Sequence, residues 1–262
     1  MNSMERKKDG TFLKHNKEDY IGKVFKTSGG VDCIVLDYQG WDNITVKFLD
    51  EFGMVVKVCN SNLVRGAVRN VYAKSVYGVG CLGEDRFLDL SKDVRRKVNK
   101  LWQGMLERGH SDRYKEENQS YKDVYVCEEW HNLQNFTEWV IKQKYFNIGY
   151  HLDKDILVKG NKVYSPDTCC FVPSQINSLF TDRARDRGEY PVGVYFRERD
   201  SLYLVTLSRS GKQRHVSCHK SLEDAVASYK VAKEAQVKVM ALEWKDRIEQ
   251  NVYEAIMNWT VD

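Results

Sequence analysis

The chain has 262 residues, of which 42% are hydrophobic and 30% are charged, and its formal net charge is +4. It has no apolar run that approaches the roughly 18 residues of a membrane-spanning helix, and its charged N-terminus lacks the apolar stretch of a secretory signal. We therefore expect a globular protein of the cytoplasm with no membrane partner. Its seven cysteines include no Cys-x-x-Cys pair, which favours reduced thiols over a disulfide framework or a zinc finger.

The N-terminal third divides into a tail and a β-rich segment. Residues 1–19 are polar and basic and are predicted to form a mobile arm. Residues 20–85 contain short alternating strands with glycine-bearing turns, beginning with GKVFKTSGG at Gly22. A single open sheet of this size would leave an apolar face in water, so we predict a small closed barrel of the Tudor or chromo type. Such barrels dock peptides, proteins or nucleic acid, and a packing role without a ligand is an equally good interpretation.

An amphipathic helix is predicted after Asp89. Apolar residues recur at helical spacing through LSKDVRRKVNKLWQGMLERG, behind Ser91 as the N-cap. Gly109 is the expected end of this helix. A second helix is predicted after Cys127, with an aromatic stripe that is typical of a core face rather than of a base-stacking surface. The anchors of that stripe are Trp130, Phe136 and Trp139.

The C-terminal part of the chain predicts a sheet backed by a helix. Three short strands begin at Gly193, with a Ser-Gly-Lys turn between the last two. A helix follows, with Ser221 as N-cap and Asp224 completing a capping box. Basic residues are concentrated between Pro191 and Lys220, a charge pattern found on nucleic-acid-binding surfaces. The tail beyond Val237 continues as helix, and it either covers a neighbouring face of the same chain or mediates self-association into a homo-oligomer.

The centre of the chain carries the most specific motif. It reads YKDVYVCEEWHNLQNFTEWV from Tyr121 and HLDKDILVKGNKVYSPDTCCFVPSQIN from His151. This pattern resembles the small HNH-type (His-Me finger) endonuclease-like proteins of bacteriophages. The resemblance implies a β-hairpin over residues 152–171 and the start of a helix over residues 172–180. It also implies a histidine that takes a proton from the attacking water and a divalent ion that offsets charge at the scissile phosphate.

The catalytic positions of that pattern are altered in this chain. Lys154 stands where the active enzymes carry histidine. A lysine is protonated at neutral pH and cannot act as a base without strong desolvation, although it could hold a phosphate. Thr168 stands near the position of the asparagine that orients the histidine, and it lacks an amide. We therefore predict a degenerate active site. Weaker candidate residues are His131, Asn135, Asn161 and Asn177.

A replacement site is a second interpretation of the same segment. His151 is the nearest candidate base, and Asp153 and Asp155 are candidate oxygen ligands for magnesium or manganese. In a strand, residues 151, 153 and 155 share one face, as a one-metal site requires. The catalytic set would then be His151, Asp153, Lys154 and Asp155. The competing interpretation is an exposed histidine among solvated hairpin charges.

The C-terminal segment carries a second resemblance. The matching positions are Gly193-Val194, Tyr203, Gly211-Lys212, Glu223-Asp224-Ala225 and Ser228-Tyr229. They resemble the Apetala-type DNA-binding domain of plant transcription factors and phage homing endonucleases. The resemblance implies a basic sheet that lays arginines against phosphates and base edges of double-stranded DNA. The implied contact residues are Arg197, Arg199, Tyr203, Arg209, Lys212 and Arg214. A solvated basic face is the alternative.

These patterns predict an α+β protein in four parts. The parts are an arm (1–19), a Tudor/chromo-like barrel (20–85), an HNH-like domain with a degenerate ββα element (86–182), and an Apetala-type sheet with its C-terminal helix (188–262). Three functions fit: a metal-dependent homing-type nuclease, an inactive descendant that binds DNA, and a viral protein that binds and inhibits a host defence or transcription complex. Each places the protein in the cytoplasm of an infected bacterial host.

Overall fold

The computed structural model describes residues 17–180, 190–209 and 212–261. The predicted mobile arm lies outside these ranges except for Lys17–Asp19, which form a 3-10 turn. None of the described helices combines the length and the apolar surface that crossing a bilayer requires. The chain divides into two compact units, one formed by residues up to 89 with residues 131–134, and the other by residues 90–130 with the chain from 135 onward.

The described elements are grouped into runs of strands and runs of helices, as expected for an α+β protein. The strands are β1 (Val24–Phe25), β2 (Cys33–Tyr38), β3 (Ile44–Phe48), β4 (Val55–Val58), β5 (Tyr125–Val126), β6 (His151–Asp153), β7 (Val163–Tyr164), β8 (Cys170–Val172), β9 (Val194–Arg197), β10 (Leu202–Arg209) and β11 (Lys212–His219). The helices are α1 (Asn60–Val64), α2 (Lys92–His110), α3 (Asp112–Glu117), α4 (Leu133–Ile141), α5 (Ser174–Phe180), α6 (Leu222–Trp244) and α7 (Gln250–Met257).

The N-terminal strands form an open four-stranded antiparallel sheet in the order β1-β2-β3-β4. The prediction of a closed barrel was wrong, because β1 and β4 do not pair with each other in the described residues. The apolar face is covered instead by side chains from outside the sheet. Tyr20, Leu63 and Val68 pack against the buried residues of β2 and β3, and α1 supplies Leu63. These side chains exclude water from the buried face of the sheet, although the strands do not close into a barrel.

Helix α2 begins where the sequence predicts. The Ser91 Oγ accepts a hydrogen bond from the Val94 N–H at 3.3 Å and forms the N-cap. The prediction that Gly109 ends the helix was wrong, because α2 continues to His110. Glycine serves close packing at this position, since a Cβ there would lie 2.8 Å from the Val126 Cγ2.

The aromatic stripe of the second unit is a core, as predicted. The Trp102 Nε1 donates to the Trp130 carbonyl at 2.7 Å in a buried environment. The Trp130 ring contacts Phe136 and Trp139 at centroid distances of 5.1 and 4.8 Å. Trp139 in turn stacks on Phe171 of β8 at 5.8 Å. These contacts hold α2, α4 and β8 in one cluster.

The C-terminal sheet has the strand order β11-β10-β9 and packs on α6. Helix α6 begins at the predicted cap, where the Ser221 Oγ accepts from the Asp224 N–H at 3.1 Å. The structure thus has a three-stranded sheet packed on one helix in this segment.

Beyond the sheet, α6 continues into the core of the central segment. Val237 and Ala241 of α6 are buried with Val172 and Ile176, the latter on α5, and α7 adds Val252 to the same cluster. Val237, Ala241 and Val252 of the C-terminal tail are thus covered within the chain, whereas Val239 and Leu242 are exposed.

Candidate functional site

The hairpin predicted for the central segment is present as the antiparallel pair β6 and β8. Leu152 pairs with Phe171, and Asp153 pairs with Cys170. Helix α5 begins directly after Pro173. Two strands and a helix thus follow in the predicted order, but Val172 belongs to β8 and not to the helix that was predicted to start there. Residues 153–163, from the last residue of β6 to the first residue of β7, are called the Lys154 turn below.

Lys154 is a buried residue with every donor engaged. It is 6% exposed, and its ammonium donates to Oδ1 and Oδ2 of Asp155 at 2.6 and 2.7 Å. It also donates to the Asn161 carbonyl at 3.1 Å and lies 5.9 Å from the centre of the Tyr164 ring. Because an ammonium has three N–H donors and no acceptor, these partners use its full capacity. Lys154 is therefore placed neither to take a proton nor to hold a phosphate.

Asp153 stabilises the same turn from its beginning. Its Oδ1 accepts hydrogen bonds from the N–H groups of Asp155 and Ile156 at 2.8 and 2.9 Å. Burial raises the pKa of Asp153 above its ordinary value, and the two N–H donors oppose that rise. Strand β6 ends at Asp153, so the alternation predicted for residues 151, 153 and 155 does not extend to Asp155. Both carboxylates belong to the internal bonding of the turn.

The two carboxylates do not fit a divalent metal site. Both oxygens of Asp155 face the Lys154 ammonium at 2.6 and 2.7 Å. A divalent ion on the same carboxylate would lie about 4 Å from that ammonium, and the two would repel by about 8 kcal/mol at an effective dielectric constant of about 20. Within the described ranges, no three His, Cys, Asp or Glu side chains are grouped so as to hold a metal. The site predicted for magnesium or manganese holds a lysine instead.

The resemblance implies an asparagine near Thr168, and Asn161 supplies a side-chain amide to this region instead. Its Nδ2 donates to the carbonyls of Lys154 and Val163, both at 2.7 Å, and its Oδ1 accepts from the Val163 N–H at 3.2 Å. Thr168 donates its Oγ1 to the same Val163 carbonyl at 2.8 Å. The backbone at Lys154 is therefore held by an amide from elsewhere in the turn. The signal for this role was the Gly160-Asn161 pair, a typical turn sequence that is separated from β7 by one residue.

His151 and Asn177 meet at the exposed end of the hairpin. The Nδ1 of His151 lies 3.4 Å from the Nδ2 of Asn177, which connects the start of β6 with α5. A histidine that acts as a general base is usually oriented by a third group. The Asp153 Oδ1 does not orient His151, because it accepts hydrogen bonds from the backbone of the turn. The structure thus brings His151 to Asn177, while Lys154 and Asp155 form a separate ion pair.

The two other weak candidates form hydrogen bonds outside the hairpin. The carbonyl of His131 accepts from the Cys81 N–H at 2.9 Å in the first unit. The Asn135 Nδ2 donates to the Glu129 carbonyl at 3.0 Å. Neither residue belongs to the hairpin.

Arg108 contacts the hairpin region although the sequence did not single it out. Its Nε donates to the Tyr164 hydroxyl at 2.9 Å, and its guanidinium lies 5.4 Å from the centre of that ring. Lys154 approaches the same ring, so two cations contact one tyrosine. Burial raises the pKa of Tyr164 and keeps the phenol neutral. Arg108 thereby joins α2 to β7.

The C-terminal sheet has one face on α6 and one face directed away from it. Alternation along β10 puts Tyr203 and Val205 on the α6 side. Val205 packs with Ala225 of α6, and Tyr203 packs against this cluster and contacts the Phe196 ring at 4.9 Å. The structure thus places Tyr203, an expected DNA neighbour, in the sheet-helix core.

Gly193 and Tyr229, two of the matching positions, contact each other. Gly193 has φ +82°, and a Cβ at this position would lie 2.3 Å from the Tyr229 Cε2. Only glycine accepts both this backbone conformation and this close approach. The two positions therefore fix how α6 packs on the start of β9.

The basic residues of the sheet fall into two groups. Arg197 forms a bidentate ion pair with Asp200, with its Nε 2.6 Å from Oδ1, and Arg199 lies 3.8 Å from the same carboxylate. The Arg197 guanidinium lowers the pKa of Asp200. Lys212 and Arg214 on β11 are exposed, and no described carboxylate lies within ion-pair distance of either. The two cations of β11 are therefore less neutralised than Arg197 and Arg199, which share one carboxylate.

Two predicted features lie outside the described residues. They are the side chain of Arg209 and the turn residues 210–211. The strands on either side pair up to Arg209 and Lys212, as expected for a hairpin.

Comparison of the chain with protein-family models, with curated proteins and with solved structures finds no match.

Proposed function

We propose that this chain is a phage-encoded protein that binds double-stranded DNA through its C-terminal sheet, and that its HNH-like centre is a frame without cleavage activity. The observation that carries the proposal is the exposed basic strand β11 on a sheet supported by one helix. The Lys154–Asp155 ion pair supports the second part. It occupies the position at which the resemblance implies a catalytic histidine.

The sheet offers two kinds of basic group to a phosphate backbone. Lys212 and Arg214 are exposed and have no described carboxylate partner, so they can replace counterions on DNA directly. Arg197 and Arg199 share Asp200, so they must give up part of that pairing to contact a phosphate. We therefore assign the larger share of affinity to β11.

DNA affinity measured as a function of salt tests this assignment. Each phosphate contact contributes about 0.9 to the slope of log K against log salt. The double variant Lys212→Ala, Arg214→Ala should reduce the slope by about 1.8 and weaken binding across all sequences. Lys142→Ala is the matched charge control, because this lysine pairs with Glu138 on α4. An unchanged slope in the β11 variant would remove the proposal.

Asp200 provides a second and opposite perturbation. Asp200→Asn releases Arg197 and Arg199 from their shared carboxylate, so DNA binding should become tighter and more salt-dependent. Arg197→Ala, Arg199→Ala should weaken binding several-fold, but less than the β11 variant does. Weaker binding by Asp200→Asn would show that the ion pair serves only the fold.

A second candidate function, binding of a host protein, is favoured by the surface of α6. Val231, Val239 and Leu242 are 70%, 44% and 57% exposed, and helical spacing places them within about 80° of one another. Such exposed apolar groups occur at protein-binding surfaces. This function predicts that a specific host protein co-purifies with the wild type, survives high salt, and is lost in Val231→Glu. A partner retained by Val231→Glu, or released by DNase, would count against it.

A further inference from the structure

The oxygen atoms around Lys154 form a cation site that the chain fills itself. We infer that the Lys154 ammonium is the resident cation of the Lys154 turn, so that the turn is complete without a divalent metal and excludes one. This inference concerns the central hairpin alone and does not depend on DNA binding.

The partners of the ammonium are groups that suit a cation. They are the two carboxylate oxygens of Asp155 at 2.6 and 2.7 Å, the Asn161 carbonyl at 3.1 Å, and the face of Tyr164 at 5.9 Å. Carboxylate and carbonyl oxygens are also the ligands that magnesium and manganese prefer. The same oxygen set can therefore hold either an ammonium or a metal, but not both.

The oxygen atoms around the ammonium are held in position by hydrogen bonds in which the ammonium takes no part. The Asp153 Oδ1 accepts from the Asp155 N–H at 2.8 Å, which fixes the backbone that carries the Asp155 carboxylate. The Asn161 amide donates to the carbonyls of Lys154 and Val163, both at 2.7 Å, which fixes the residue whose own carbonyl faces the ammonium. Removing the ammonium should therefore leave the oxygen set in place and negatively charged.

Two consequences follow for the response to divalent ions. In the wild type, magnesium, manganese and chelator should leave the thermal unfolding temperature unchanged, because the site is occupied by the chain. In Lys154→Ala the site loses its positive charge, and a divalent ion from solution can take the vacated position. Binding to the folded state alone raises the unfolding temperature saturably.

The experiment measures Tm in EDTA and in increasing MnCl2 or MgCl2. We expect Lys154→Ala to lose about 5–10 °C in EDTA, less than for a fully buried ion pair because the Asp155 side chain is 45% exposed, and to regain part of this loss saturably with manganese. Lys154→Ala, Asp155→Asn should show no regain. Lys154→Met retains most of the stem volume and separates loss of charge from loss of packing. Lys142→Ala, at an exposed ion pair, controls for general salt effects.

Direct manganese binding to the wild type, followed by electron paramagnetic resonance, keeps the test independent of variant folding. The inference requires that the wild type and Asp155→Asn bind the same amount of manganese, so that no bound ion depends on Asp155. It is overturned if the wild type gains Tm saturably with manganese, or if Lys154→Met is as stable in EDTA as the wild type. A Lys154→Ala protein that folds but ignores both metals would also contradict it.

Discussion

Replacing Asn161 with alanine tests whether side-chain hydrogen bonds hold the Lys154 turn. The substitution removes two donor bonds of 2.7 Å, to the carbonyls of Lys154 and Val163, and one acceptor bond of 3.2 Å. Each such bond contributes about 1 kcal/mol net, so the free energy of unfolding should fall by about 2–4 kcal/mol. The Val163 carbonyl keeps a bond from Thr168, so the cost should lie near the lower end.

The assay is urea denaturation at neutral pH, followed by tryptophan fluorescence and circular dichroism. Asn147→Ala is the matched control, because this asparagine makes one exposed contact of 3.5 Å with Lys97, and it should change the free energy by less than about 0.5 kcal/mol. Asn161→Asp retains the acceptor and loses the donors, so it should be at least as destabilising as alanine. An Asn161→Ala protein as stable as the control would refute the account of the turn.

Three further outcomes are expected. Gly193→Ala should cost about 2 kcal/mol or more, because its Cβ would meet the Tyr229 ring at 2.3 Å and φ is +82°; a smaller loss in urea denaturation would contradict this. The folded-state pKa of Asp153 is raised, so its contribution to stability declines as pH rises above about 4. Asp153→Asn keeps the acceptor oxygen but does not titrate, so its free energy of unfolding relative to the wild type should increase in denaturation experiments as pH rises from 3 to 7. A relative increase on acidification would contradict this. Thiol labelling followed by mass spectrometry should modify exposed Cys218 well before Cys169, whose pKa burial raises to about 12; labelling in the opposite order would contradict the burial.

The parts of the fold that the sequence predicted depend on local signals. The caps at Ser91 and Ser221 act on N–H groups three residues away, so a pattern of a few residues is sufficient. Closure of the N-terminal sheet depends on pairing between distant strands and on which side chains cover the apolar face. Tyr20 and Leu63 perform that covering, and no periodicity within the strands could show it.

The candidate site was less predictable because its lysine, Lys154, is buried. A run such as Asp-Lys-Asp is usually solvated, yet Lys154 is 6% exposed and bound to Asp155 and Asn161. That burial comes from the turn geometry and from the Tyr164 ring, which lie further along the chain.

Incubation of the purified protein with supercoiled plasmid tests the central claim most directly. Magnesium or manganese is added at low salt, and both retention and nicking of the plasmid are measured in parallel with His151→Ala and Asp155→Ala. The account predicts salt-sensitive retention of the plasmid without nicking in either metal. Metal-dependent nicking by the wild type that is lost in His151→Ala would contradict it, and would assign catalysis to the exposed end of the hairpin.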